Sequence, residues 1–236
     1  MVVAATLVVA ACGSAPAGGA PQTSSSSGGS STSGAAGAPA GLPTATSLKG
    51  WTVSVGSAGV GPAIDATTGN PKPPSLMLPG DHSYVWADLK KPVNSFSFDV
   101  NTQGLFDFVF GASATTGQGY IFRIDTRGGT SYSGFAEMED WADWDCPGAG
   151  SVTDPAGTWL HVALVIAGSN VTATVTGPGG LSEVNTFNGE TDSCNTMADG
   201  TVLDATLGKY TPDGTAFGFE GDALSATSYT WIANFT

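Results

Sequence analysis

An all-β fold, a sandwich of two antiparallel sheets, is what this sequence predicts. The first observation is alternation: SFSFDV (95–100), LFDFVF (105–110) and GYIFRIDTR (119–127) carry apolar residues with a period near two, the period of a half-buried strand. The second is punctuation, because turn-forming residues at Asn101–Gly104 and Ser113–Gly119 separate those runs and predict antiparallel neighbours. The third is what is missing. No stretch carries a convincing helical stripe ten or more residues long.

Taken in order, the elements follow from the same rules. Trp51, Val53 and Val55 alternate, and a glycine-rich turn follows. Asp65–Asn70 with Pro71, Pro73 and Pro74 is expected to be loop, since proline donates no ladder hydrogen bond. Short strands are expected at Ser75–Leu78 and Ser83–Ala87 around the Pro79-Gly80 turn. In the central runs Phe96, Phe98 and Val100 share one face, as do Phe106, Phe108 and Phe110, with Asp107 and Val109 opposite. Tyr120, Phe122 and Ile124 oppose Ile121, Arg123 and Asp125. After an aromatic and acidic loop, FAEMEDWADWDCPG (135–148), WLHVALVI (159–166) and VTATV (171–175) read as a hairpin. AFGFEG (216–221) and SYTWIANF (228–235) close the chain. About a dozen short strands arranged this way form a two-sheet sandwich.

The start of the sequence bears on location. Residues 1–11, MVVAATLVVAA, are uninterruptedly apolar, too short to span a membrane, and run into Cys12. Val9-Ala10-Ala11-Cys12 resembles the lipobox of bacterial lipoproteins, which implies lipidation of Cys12 and a bacterial cell-surface or extracellular location; an ordinary cleaved secretory signal is the alternative. Apart from Gln22, Leu42 and Leu48, Gly13–Leu48 is Ser, Gly, Ala, Pro and Thr, with no charge before Lys49. Such a segment buries too little to offset its ordering entropy and is expected to be a flexible tether with a span of roughly 30–35 Å. All seven basic and twenty acidic residues then fall in one domain, 49–236, with the full net charge of −13. That charge disfavours nucleic acid and anionic membrane as nonspecific partners.

GTWLHVALVIAGSNVTATVTG (157–177) and TWIANF (230–235) resemble the Trp-x-His-Val hairpin and closing strand of concanavalin A-like lectin/glucanase domains of the laminin-G sort. The resemblance implies an antiparallel jelly roll over about 50–236, and it speaks to fold more than to activity. Glucanases of this fold carry Glu-x-Asp-x-x-Glu on one strand. Glu137 and Glu139 are the nearest counterparts, but 139 is Glu where the pattern has Asp and Ala142 stands where it ends in Glu. The residue for the second catalytic role is therefore missing.

Binding chemistry centres on Arg123, Asp125 and Arg127, which alternate on one strand face, with Trp141 and Trp144 in the following loop. A Trp face stacks on a pyranose while carboxylate and guanidinium bond its hydroxyls. An Arg-Asp-Arg network that only braces the sheet is the alternative. Trp51, Trp159 and Trp231 lie in strand runs and read as core. His161 has no sequence-local partner and reads as packing, and His82 reads as a turn residue. Calcium is an allowed cofactor, although no Asp spacing forms a calcium loop. With Cys12 removed or lipidated, Cys146 and Cys194 are the remaining thiols and are expected to pair. The sequence thus points to a surface-tethered domain recognising a polysaccharide or glycoconjugate, with a glycan hydrolase or lyase and a structural envelope protein as alternatives.

Overall fold

A computed structural model describes residues 42–64, 71–80, 82–127, 132–139, 143–145, 156–188, 214–223 and 229–236. It is the predicted antiparallel jelly-roll sandwich. The first sheet takes β1 (Thr52–Val55), β4 (Ser83–Asp88), β6 (Gly104–Ala112), β7 (Gly119–Asp125), β8 (Tyr132–Glu139), β9 (Asp143–Asp145) and β13 (Ala216–Ala223). Its order is β1-β4-β13-β6-β7-β8-β9. The second takes β2 (Gly59–Ile64), β3 (Pro71–Pro79), β5 (Ser95–Asn101), β10 (Leu160–Ala167), β11 (Asn170–Thr176), β12 (Ser182–Asn188) and β14 (Tyr229–Ala233), in the order β12-β11-β10-β5-β14-β3-β2.

The core lies between the sheets and is built from the phenylalanine rows. Phe98 and Phe108, on opposite sheets, have ring centroids 4.9 Å apart, and Phe96 meets Phe108 edge-on at 4.9 Å. Phe219 packs 5.3 Å from Phe98, and Trp51 joins the same cluster through Phe217 and Phe219. Each fully buried ring stabilises the fold by roughly 1.5–3 kcal/mol before the cost of ordering it.

Two expectations need correction. The runs at β5 and β6 are not hairpin partners: β5 pairs with β10 and β14, whereas β6 pairs with β7 and β13. The chain changes sheets at 102–103, where the Thr102 and Thr230 hydroxyls share a 3.0 Å hydrogen bond and Asn101 Nδ2 donates to the Gly157 carbonyl. Two Phe rows can be buried side by side or face to face, and alternation alone does not choose between them. Pro71, Pro73 and Pro74 belong to β3 rather than to a loop. They are tolerated there because β14 pairs only with Leu76–Pro79, which leaves the proline-bearing half with β2 as its described strand neighbour.

Residues at the end of the expected tether pack on the sandwich: Ala45 is buried, and Trp51 Nε1 donates to the Thr44 carbonyl at 3.1 Å. Trp159 is buried in a small separate cluster with Ala233 and the half-buried Trp231.

Candidate functional site

The face of the first sheet turned away from the core carries the charge. Cross-strand register sets Tyr84 opposite Glu220, Glu220 opposite Asp107, Asp107 opposite Arg123 and Arg123 opposite Gly134. This row is polar because Phe106, Phe108, Phe122, Phe217 and Phe219 take the inward positions on its strands, leaving the alternate positions to face out. It is nevertheless buried: Asp107 is 0% and Glu220 3% exposed.

Asp107 is held by a guanidinium fork, with Arg123 Nε donating to Oδ1 and Nη2 to Oδ2, both at 2.8 Å. Burial pushes the Asp107 carboxyl up and the fork opposes that shift. Glu220 has no such fork. Its Oε1 lies 2.9 Å from Nε2 of His82, which is in the left-handed region at φ 59°, while Oε2 has no hydrogen-bond partner among the described residues. Burial, and then the Asp107 charge, push Glu220 up to about 9. The row therefore holds two buried acids in different settings, Asp107 forked by a guanidinium and Glu220 pushed toward its neutral form. This is the composition used for acid–base work, but Asp107 is closed from solvent and both its oxygens are occupied by Arg123.

The next row opens to water. Arg127 follows β7 instead of lying on it, and its backbone N–H donates to Asp125 Oδ1 at 2.9 Å. Its guanidinium grips Asp125 through Nε at 3.1 Å and Nη2 at 2.9 Å, and reaches Asp222 Oδ2 through Nη1 at 3.1 Å. Hydrogen bonding to Asp125 raises the Arg127 pKa further. The side chains of Arg127 and Asp222 are each 38% exposed, which makes this the accessible end of the charged face.

Of the residues singled out in the sequence, Arg123, Asp125 and Arg127 do gather on one face, each engaged with a carboxylate or a guanidinium. Trp144 pairs with Met138, which pairs with Gly119, so its register position falls on the Arg123 alternation. Four residues along and two strands across place it roughly 16 Å from the Arg123 position. The face between them is apolar and buried at Ile121, Ala136 and Met138. Glu137 and Glu139 share the alternation of Phe135 instead. Trp141, Cys12, Cys146 and Cys194 lie outside the described residues. In the sequence Asp107 stands out only as lying opposite the Phe face of its run and Glu220 not at all, and no local pattern announces that β6 and β13 are neighbours. Among the described residues no group of three or more His, Cys, Asp or Glu is placed to hold a metal ion.

On the second sheet, His161 is not a packing residue. Its side chain is 49% exposed, and its Nδ1 lies 2.7 Å from Asp99 Oδ1 on the adjacent strand.

No protein-family description matches this sequence, and no curated protein does. Among solved structures the chain is similar to the carbohydrate-binding module CBM66 from Bacillus subtilis, at 12% identity and a TM-score of 0.46, over 82% of this chain and 98% of that one. It is also similar to the exoplasmic/lumenal domain of VIP36 in a Ca2+/Man3GlcNAc-bound form, at 8% identity and a TM-score of 0.43, over 81% and 84% of the two chains. Lectin I-B4 from Griffonia simplicifolia, in its metal-free form, matches at 9% identity and a TM-score of 0.39, over 79% and 91%. At these values nothing about what this chain binds follows from the likeness.

Proposed function

We propose that this chain is a carbohydrate-recognition domain held at a bacterial cell surface by a lipidated Cys12. The observation that carries the recognition reading is the Asp125–Arg127–Asp222 set, two carboxylates fixed on one guanidinium with Arg127 and Asp222 open to water. Saccharide hydroxyls need acceptors and donors held at fixed spacing, and ion-paired side chains pre-organise both. The Trp144 register position falls on the same alternation, but buried Ile121, Ala136 and Met138 lie between it and the charged end, so the reading rests on the charged end alone.

The test is a glycan array with the soluble domain, begun ahead of Leu42 and run with and without calcium, followed by calorimetry on any hit. Arg127→Ala and Asp222→Asn are expected to weaken binding by about 1–3 kcal/mol, with folds checked by thermal unfolding. Loss in Trp144→Ala as well assigns an extended site, and Trp141→Ala extends the same comparison. Unchanged affinity in every variant moves the site off this face, and an array without a hit favours a structural role in the envelope.

A further inference from the structure

On the outward face of the second sheet, β5 and β10 bring a serine, a histidine and an aspartate into line. Asp99 lies directly opposite His161, and Ser97 lies opposite Ala163, one step along the same face. Ser97 Oγ is 3.4 Å from His161 Nε2, His161 Nδ1 is 2.7 Å from Asp99 Oδ1, and Asn234 Nδ2 donates to Asp99 Oδ2 at 2.6 Å. Asn234 reaches Asp99 because its backbone is left-handed at φ 50°, just past the end of β14. The order of contacts is that of an activated nucleophile: hydroxyl to imidazole, imidazole to carboxylate, carboxylate to an orienting amide. A serine-to-imidazole distance slightly beyond a full hydrogen bond is common before a substrate is bound. A shallow depression of ≈ 390 Å³ adjoins it, lined by Asp99, Trp159, His161, Thr176 and Pro178 among others.

We propose that Ser97 is an acylatable nucleophile for activated carboxylic esters, with His161 as its base and Asp99 as the residue that positions the imidazole. Ser97 Oγ attacks the ester carbonyl while its proton passes to His161 Nε2. The bond from the carbonyl carbon to the alkoxy oxygen breaks, the leaving oxygen takes the electron pair and the imidazolium proton, and Ser97 is left as an ester. Water then attacks that ester as His161 Nε2 takes its proton; the bond from the carbonyl carbon to Ser97 Oγ breaks, the imidazolium proton passes to Oγ, and the carboxylic acid leaves with the serine restored. The Ser97 N–H is bonded to the Thr236 carbonyl at 2.9 Å, so this strand position offers no free donor to the developing oxyanion. Such donors are worth about 10²–10³-fold each, which confines the site to activated esters and excludes amides. The inference stands on a different sheet from the glycan-recognition reading and survives or fails independently of it.

The experiment treats the full chain with a fluorophosphonate probe, which forms an Oγ–P bond, expels fluoride and sends the serine proton to His161. Peptide mapping is expected to find the label on Ser97, none in Ser97→Ala, and a rate about 100-fold lower in His161→Gln. Asp99→Asn is expected to lower the rate about tenfold and Asp99→Glu to restore part of it, with thermal unfolding confirming that each variant is folded. Absence of label, label on another residue, or a rate in folded His161→Gln within twofold of wild type overturns the proposal. An unchanged rate in Asp99→Asn overturns the positioning role.

Discussion

Glu220 is pushed far from its ordinary state by burial, and the shift has a sign that can be measured. The unfolded chain releases this proton near roughly 4.3, while the folded chain holds it to about 9 because the carboxyl is buried beside Asp107. Between those values the folded state binds the extra proton, so this contribution to stability declines as pH rises; below the lower value both states are protonated and nothing is lost. Glu220→Gln keeps the shape and an acceptor for His82 but removes the titration. The variant is expected to match wild type in urea unfolding at pH 4 and to exceed it by several kcal/mol, at most about 5, at pH 8. Parallel profiles for the two proteins would count against the buried acid. Arg123 carries the opposite risk. Because Asp107 is fully buried and both its oxygens rest on this guanidinium, Arg123→Met is expected to cost about 3–5 kcal/mol. Most of that should return when Asp107→Asn is added, and a double variant as unstable as the sum of the singles would rule out coupling.

Elements held together by neighbouring sequence were legible, and those held by distant sequence were not. The β6–β7 and β10–β11 pairs each have an alternating run, a turn and a second run, and Gly168 at φ 63° sits in the two-residue turn between β10 and β11. By contrast, the placement of β5 and β6 on different sheets depends on how their Phe rows meet across the core, and the strand at Pro71–Pro79 depends on where β14 stops. The candidate site divides the same way. Arg123, Asp125 and Arg127 are close in sequence and were found, whereas Asp107, Glu220, Asp222 and the Ser97–Asp99–His161 line join strands remote in sequence. Element packing also makes a prediction at Gly119, the first residue of β7. A Cβ there would stand 2.6 Å from the Ala112 Cβ and 2.9 Å from its Cα, with backbone on the receiving side. Gly119→Ala is therefore expected to lose about 1–3 kcal/mol in thermal or urea unfolding, and an unperturbed midpoint would show that the β6–β7 pair has room to spread.

For the whole molecule, charge and the proposed tether act together. The domain carries all of the net −13, and the segment before Lys49 carries none. An anionic domain is repelled by an anionic bilayer, with the repulsion falling off over about a Debye length of 8–10 Å. We propose that the segment ahead of Leu42 is a tether; its expected span of roughly 30–35 Å, little shortened by the packing of residues from 42 on the sandwich, is enough to hold the domain beyond that distance. In the proposed arrangement attachment falls to Cys12, where an apolar run meets the Ser/Gly-rich segment. One acyl chain binds a bilayer only marginally, so stable attachment needs more than one lipid chain on that cysteine. Expressed with its native upstream sequence, the protein is expected to partition into detergent with an intact mass above that of the cleaved polypeptide. Cys12→Ser is expected to move it to the aqueous phase while leaving the unfolding midpoint of the domain unchanged, since Cys12 precedes the packed residues. A mature chain of unmodified mass, or detergent partitioning that survives Cys12→Ser, would mean that the domain is secreted free or held at the surface by something other than this cysteine.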